Sequence, residues 1–462
     1  MPLGRPKGST NQVHTFPQRL KSPDNWTTEI ANLRQTRHAL PSEGGPAFLS
    51  DLGNMTCYKV FRLLWSDELD YHVLKRTNKR AKLLLTQTTL HRFILAGFVM
   101  CQNIRTDYKK HWASIDLYEN VVVKQIISRD EFRNLLHHIH PKPKSMASLA
   151  NSNFQRYWSP YTHISIDEGL ICFKGRYQHR VHIRGKSDAT GLKVYGLADE
   201  KSYLYAFTLY EGQRQTVPQI ILGLTKQLPH SHFKLYVDSW YGSPQLASSL
   251  LENGLYFTMA CGKNKPAEVF KDYLDVQLSP GQCRYLQSQD HDELLAVSYN
   301  DRAKFHFLTN LWRPGMSENR KKQHIPDVVQ DYRIHMGMMD RVDRSALKAT
   351  WPHKNLRWSM AFFWYLLGLC VANAHKIYIH STQNRISLTS FLGVLISEWR
   401  EILPNRSGAQ RVTRHGLILS PSKSRCEVCK HVDPNIAKTR MLCKVCNVHL
   451  HPRCYAKYHK RD

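Results

Sequence analysis

Two segments of this chain share one construction, and together they constrain its fold more than any other feature. In HISIDEGLICFKGR (163–176), His163, Ser165 and Asp167 alternate with Ile164 and Ile166, the period-two pattern of a strand with one buried face. In FKLYVDSWYGS (233–243), Leu235 and Val237 face one way, Tyr236 and Asp238 the other, and a Gly-Ser turn follows. Each strand carries a carboxylate on its polar side. A lone Asp in such a place is ordinarily a solvated turn residue, so a functional reading depends on what the rest of the chain brings to these two.

The order of elements brings them together. Apolar residues recur at helical spacing from about residue 56 to 140, as in LHRFILAGFVMC and RDEFRNLLHHIH. Strands are expected at 163–173, 179–184, 192–199 and 202–210, then a helix at about 215–227, the strand FKLYVD, a helix at 243–253 and the strand LYFTMAC. Three or four strands in series followed by α-β-α-β match an RNase H-like layout, a mixed sheet with helices on its faces, in which Asp167 lies on the first strand and Asp238 ends the fourth. Its first and fourth strands lie side by side, so Asp167 and Asp238 would meet.

A third acidic element lies in DYRIHMGMMDRVDRSALKAT (331–350), where Asp340 and Asp343 stand three apart on one helix face. Like charges at that spacing destabilise a helix unless a cation lies between them. Taken singly, Asp343 could pair with Arg344 or Lys348, and Asp340 could cap a helix. Taken together, the carboxylates fit two-metal phosphoryl chemistry, with one Mg²⁺ activating water or a 3′-hydroxyl and the other stabilising the leaving oxygen. Hard carboxylate oxygens suit Mg²⁺, for which Mn²⁺ can substitute.

The charge balance agrees: 65 Lys and Arg against 37 Asp and Glu leave a net charge of +28. This points to a polyanionic partner, of which nucleic acid is the commonest. The polar start MPLGRPKGSTNQ lacks the apolar core of a signal peptide, and the apolar run Met360–Ala372 is too short to span a bilayer. The expectation is a chain of the nucleus or cytosol with reduced thiols and no membrane association. Within the start, Gly4-Arg5-Pro6-Lys7-Gly8 resembles an AT-hook, an arm that lays Arg in a narrow minor groove.

Five of the 11 cysteines crowd into residues 426–454. Cys426-x2-Cys429 and Cys443-x2-Cys446, followed by His449, His451, Cys454 and His459, have the spacing of tetrahedral thiolate and imidazole zinc sites. These eight suffice for two structural Zn²⁺ ions in a cross-braced, RING- or PHD-like module. Lys430, Lys438, Arg440, Lys444, Arg453 and Lys457 intersperse them and make DNA or chromatin contact plausible.

IDEGLICFKGR, YVDSWYGSPQLASSLLENGLYFT, DYRIHMGMMDRVDR and RWSMAFFWYLLGLCVANAHKIY resemble the piggyBac transposase family, in this order and at similar separations. Upstream, TNKRA, YKKHWAS and SRDEFRNLLHHIH resemble its helical domain, so the likeness spans roughly residues 70–400 and extends to the cysteine-rich tail. The resemblance implies a catalytic triad at Asp167, Asp238 and Asp340, a further Asp at Asp343, and Trp358 beside the transposon end. It also implies cut-and-paste transposition by a homodimer acting on terminal repeats and target DNA, with hairpin intermediates and insertion at TTAA. The chain departs from the family at Ser239 and Trp240, where Asn and Phe are usual, and at Gly337-Met338-Met339, where Gly-Gly-Val is usual. Arg176, Arg180, Arg184 and Lys186, placed on the strands after Asp167, and Arg341 and Arg344, flanking the later carboxylates, are expected to position the scissile phosphate.

The domain reading is then a disordered basic tail (1–50), a helical dimerisation and DNA-binding domain (51–160 and 346–402), and an RNase H-like catalytic domain (161–265 and 326–345). An insertion domain (266–325), a linker (403–424) and a zinc-binding domain (425–462) complete it. A domesticated nuclear DNA-binding protein without catalysis is the alternative, although no triad Asp is lost. A ubiquitin ligase built on the RING-like tail accounts for neither the charge nor the carboxylates.

Overall fold

Helices begin where the sequence supplies caps. Thr56, Thr86 and Ser128 each accept a backbone N–H three residues on, opening α1 (Cys57–Leu64), α3 (Gln87–Gln102) and α5 (Arg129–His138), which alternate with α2 (Asp67–Ala81), α4 (Val121–Ile126) and α6 (Pro143–Arg156). The computed structural model describes residues 26–27, 44–47, 55–81, 85–114, 118–183, 189–212, 215–229, 232–262, 278–319, 322–355, 357–404, 417–430, 438–443 and 448–459. The Gly4–Gly8 segment, Arg184, Lys186, Cys446 and the side chain of His459 lie outside the described residues. The chain divides into two units, Met1–Ile402 and Leu403–Asp462.

The first unit is built on a ten-stranded mixed sheet ordered β1 (Trp26–Thr27), β10 (Cys283–Ser288), β11 (Leu295–Asn300), β12 (Lys304–Thr309), β9 (Tyr256–Cys261), β8 (Lys234–Val237), β4 (His163–Cys172), β6 (Thr190–Asp199) and β5 (Val181–His182), with β7 (Leu204–Leu209) also paired to β6. At its centre, β4 (His163–Cys172) runs parallel to β8 (Lys234–Val237), and β8 parallel to β9 (Tyr256–Cys261). β6 (Thr190–Asp199) lies antiparallel to β4 and carries the short β5 (Val181–His182) and β7 (Leu204–Leu209). The expected pairing of the strands that carry Asp167 and lead to Asp238 is therefore present. Helices α7 (Val217–Thr225) and α8 (Pro244–Glu252) cover one face, where Ile164, Ile166, Leu235, Val237, Ile221 and Leu250 are buried together.

Two expectations need correction. The stretch read as an insertion holds β10 (Cys283–Ser288), β11 (Leu295–Asn300) and β12 (Lys304–Thr309), a meander that continues the sheet because β12 pairs antiparallel with β9. The tail read as disordered contributes two short strands. β1 (Trp26–Thr27) pairs with β10, and β2 (Gly45–Pro46) with β3 (Trp158–Ser159).

After the hairpin β13 (Met316–Glu318) and β14 (His324–Pro326) come α9 (Asp327–His335), α10 (Met338–Leu347), α11 (Trp358–Thr382) and α12 (Leu388–Ile402). α11 is apolar all round and long enough to cross a membrane, yet it is buried inside this unit as a core helix. It packs with α12 against α1, where Trp65 meets Phe363 at 5.6 Å and Phe61 meets Trp399 at 5.5 Å. The second unit contains β15 (Leu417–Ser424), β16 (Thr439–Cys443), β17 (Val448–His449) and α13 (Pro452–His459).

Candidate active site

Parallel register sets the first two carboxylates. Ile166 lies opposite Val237 with both side chains buried, so the following residues, Asp167 and Asp238, turn to the other face. Helix α10 lies over that face at close range. A Cβ on Gly196, the register partner of Asp167, would stand 2.5 Å from the Met339 sulfur. One on Gly169 would stand 2.8 Å from Asp343 Oδ1. Glycine at both positions permits the approach.

Asp340, in the first turn of α10, completes the group. Burial pushes the Asp167 carboxyl up to about 8, and the charges of Glu168, Asp238 and Asp340 push the same way. The Glu168 N–H, donating to Asp167 Oδ1 at 2.7 Å, offsets part of this. Carboxylates from β4, the end of β8 and α10 thus converge, and mutual repulsion of this kind is relieved by a divalent cation. The donors converging on this group are carboxylate oxygens, which fit a hard ion. Asp343 sits one turn farther along, against Gly169, where the buried Tyr365 hydroxyl donates to it.

Several participants carry no sequence signal. Glu168, facing away from Asp167, accepts from the Tyr241 hydroxyl at 3.0 Å and lies 3.9 Å from Lys193 Nζ. Trp240 donates its backbone N–H to Asp238 Oδ1 at 2.8 Å, fixing the turn after β8. Burial, then Asp238 and Asp167, push the Tyr332 hydroxyl on α9 up.

The expected DNA contacts divide. Arg176 and Arg180 lie in the loop between β4 and β5 rather than on strands, because the ladder resumes only at Val181. Arg176 is exposed, whereas Arg180 Nη1 donates to the carbonyls of Lys174 (2.9 Å) and Gly175 (2.8 Å) and holds that loop. Arg341 Nε donates to Ser202 Oγ at 2.9 Å, and the exposed Arg344 donates to the Asp340 carbonyl at 3.2 Å. Trp358 opens α11 half-buried, stacked on Tyr177 at 4.4 Å and 29°. A cavity of about 950 Å³ is lined by Lys174, Lys348, Lys354, His353 and Tyr365, the last of which bonds Asp343.

In the second unit, ligand atoms of Cys426, Cys429, His451 and Cys454 all lie within 4.8 Å of one another. Burial would raise the Cys426 thiol, but backbone N–H groups of His451, Cys429 and Val428 hold it down to about 6. This Cys3His set fits a tetrahedral metal site. His449 is placed elsewhere, with Nε2 3.2 Å from the Ser422 carbonyl. Cys443 is buried in the same small core.

Comparison with known proteins accords with this geometry. A family model described as Transposase IS4 matches residues 56–375. PiggyBac transposable element-derived protein 3 of Homo sapiens is 20% identical over 87% of this chain and 76% of its own length. The human Chimeric ERCC6-PGBD3 protein is 20% identical over the same share, and the chain spans 42% of that relative. A cryo-EM structure of the piggyBac transposase synaptic complex with hairpin DNA has a TM-score of 0.67 and 21% sequence identity. That match covers 89% of this chain and 100% of the other. The chain belongs to the Transposase IS4 family and, within it, is of the piggyBac type.

Proposed function

We propose that this protein is a cut-and-paste DNA transposase that cleaves and joins transposon ends by two-metal phosphoryl transfer. The observation that carries the reading is the convergence of Asp167, Asp238 and Asp340 on one face of the sheet, where burial, with the charges of Glu168, Asp238 and Asp340 acting the same way, pushes the Asp167 carboxyl up to about 8. Family membership implies divalent metal use, and the oxygen donors favour Mg²⁺. When bound, the ions would supply an activated hydroxyl and stabilise the departing oxygen. The chain's own residues do the rest. The three carboxylates hold charge at fixed points, Asp343 is oriented by Tyr365, and Arg176 with Lys174, Lys348 and Lys354 offers cations to the DNA backbone.

Hairpin intermediates, TTAA insertion, a homodimer, nuclear localisation and zinc in the Cys3His site belong to the same reading. The matched complex with hairpin DNA supports the first of these. The test is end cleavage by Asp167→Asn, Asp238→Asn and Asp340→Asn, each of which removes charge and keeps shape. Each should abolish nicking and spare end-DNA binding, and a near wild-type rate in any of them would sink the assignment. A second reading, a transposase-derived DNA-binding protein without catalysis, is favoured by the human relative named as transposable element-derived. A wild-type chain that binds ends and never nicks them would establish it.

A further inference from the structure

On the carboxylate face of the sheet, nearer the start of β4, lies a polar cluster drawn from four segments. His163 precedes Asp167 by two alternations of β4, and Tyr236 precedes Asp238 by one, so both point to that face. Asp331 and His335 reach them from α9, and Trp312 from the segment after β12. The Tyr236 hydroxyl donates to Asp331 Oδ2 at 2.6 Å, and Trp312 Nε1–H donates to the same oxygen at 2.9 Å. His335 Nδ1 stands 3.0 Å from both Asp331 Oδ1 and the Asp331 carbonyl. His163 Nδ1 lies 2.9 Å from the Tyr236 oxygen. The tyrosine's one proton is already given to Asp331, so the imidazole must be the donor there.

His163, Asp331 and His335 are ligand types whose atoms fall within 4.8 Å of one another. Their arrangement argues against a metal. The two rings are cofacial at 3.9 Å and 12°, which sets their lone pairs side by side rather than converging. Asp331, 8% exposed, already accepts from tyrosine, tryptophan and histidine. Burial would raise its carboxyl, but hydrogen bonds from His335, Tyr236 and Trp312 hold it below the usual range, so it stays ionised. The cluster is a hydrogen-bonded clamp of α9 onto β4 and β8.

Its placement gives the clamp a task. α9 ends at His335, two residues link it to α10, and Asp340 lies in the first turn of α10. Tyr332, between the two clamp residues of α9, is near enough to Asp167 and Asp238 to feel their charges. We propose that Asp331, through Tyr236, Trp312 and His335, is a positioning residue that sets Asp340 against Asp167 and Asp238 and so fixes the affinity of the three carboxylates for a divalent cation. This rests on the active-site reading above.

The test is Mn²⁺ binding to the full chain, followed by electron paramagnetic resonance, with the Asp167→Asn protein defining binding outside the site. Partners that orient metal-binding groups typically change affinity by about 10–100-fold. Tyr236→Phe and Asp331→Asn should weaken the Asp167-dependent binding by about tenfold. His335→Asn, which keeps a donor at the Nδ1 position, should retain it better than His335→Ala. Tyr236→Phe loses a single hydroxyl, so it decides the matter if Asp331→Asn does not fold. Unchanged Mn²⁺ affinity in folded Tyr236→Phe, with wild-type binding still dependent on Asp167, overturns the clamp alone. Wild-type binding that ignores Asp167 overturns the active-site reading and this proposal with it.

Discussion

Gly169 lies directly beneath Asp343: a Cβ there would stand 2.8 and 2.9 Å from the two carboxylate oxygens and 3.0 Å from the Tyr365 hydroxyl. Gly169→Ala must therefore displace α10 or turn Asp343 away from Tyr365. Overpacking of this kind costs about 1–3 kcal/mol. The expected outcome is a modest fall in melting temperature with a loss of end cleavage of about tenfold or more, because Asp340 shares the displaced helix. Wild-type cleavage by a folded Gly169→Ala protein would show that α10 need not sit this close.

Trp358 and Tyr177 present two stacked rings at the mouth of α11. A stacked base contributes about 1–3 kcal/mol without charge. Trp358→Ala should weaken binding to ends with unpaired bases by that amount, impair hairpin-dependent steps and leave the salt dependence of binding unchanged. Arg176→Ala, at an exposed cation, should instead reduce the slope of log K against log salt by about 0.9 on any sequence. A lowered melting temperature in DNA-free Trp358→Ala would return that residue to a packing role.

Zinc held by the Cys3His set of the second unit, as proposed, would contribute folding free energy on the order of 10–16 kcal/mol. Chelation, Cys426→Ser or Cys454→Ser should melt residues 417–459 and weaken end binding, leaving the unit that ends at Ile402 folded. Calorimetry should resolve the loss as one missing transition. Purified protein without zinc by elemental analysis would contradict the assignment.

His163 links stability to pH. Burial lowers its pKa to about 4, with His335 and Lys234 acting the same way and Asp331 and Glu200 opposing. The fold favours the neutral ring, while the unfolded chain protonates near 6.5. This contribution is therefore complete above about pH 6.5 and is lost as pH falls through about 4. His163→Asn keeps a donor for Tyr236 and removes the titration. The slope of unfolding free energy against pH should flatten by about half to one proton over that window, discounted for the half-exposed ring. An unchanged slope would remove His163 from the linkage.

The carboxylates were legible because periodicity reports which face a side chain takes. Period two set Asp167 and Asp238 against buried Ile166 and Val237, and spacing of three put Asp340 and Asp343 on one helix. The continuation of the sheet through β10, β11 and β12 was not legible, since the pairing of β12 with β9 is chosen by long-range register rather than by local pattern. Glu168, Tyr241, Tyr365 and Tyr177 were missed for the same reason: each acquires its role from a partner far along the chain. Arg176 and Arg180 read as strand residues because the sequence does not show where a ladder lapses between Cys172 and Val181. His451 and His449 differ by one alternation at a strand end, and the residue that joins the Cys3His set is His451.

The contacts of Phe61 with Trp399 and of Trp65 with Phe363 have a consequence for biosynthesis. α1 is among the first helices to leave the ribosome, and the helices that cover it, α11 and α12, are among the last of this unit. Its apolar side must wait through the making of the whole sheet, since closing so long a loop cannot precede the residues that reward it. Between the making of α1 and that of α11 the nascent chain therefore exposes this apolar surface, the condition that makes such species prone to aggregate. A transcript truncated anywhere before the codons of α11 should yield an aggregating fragment rather than a smaller folded unit.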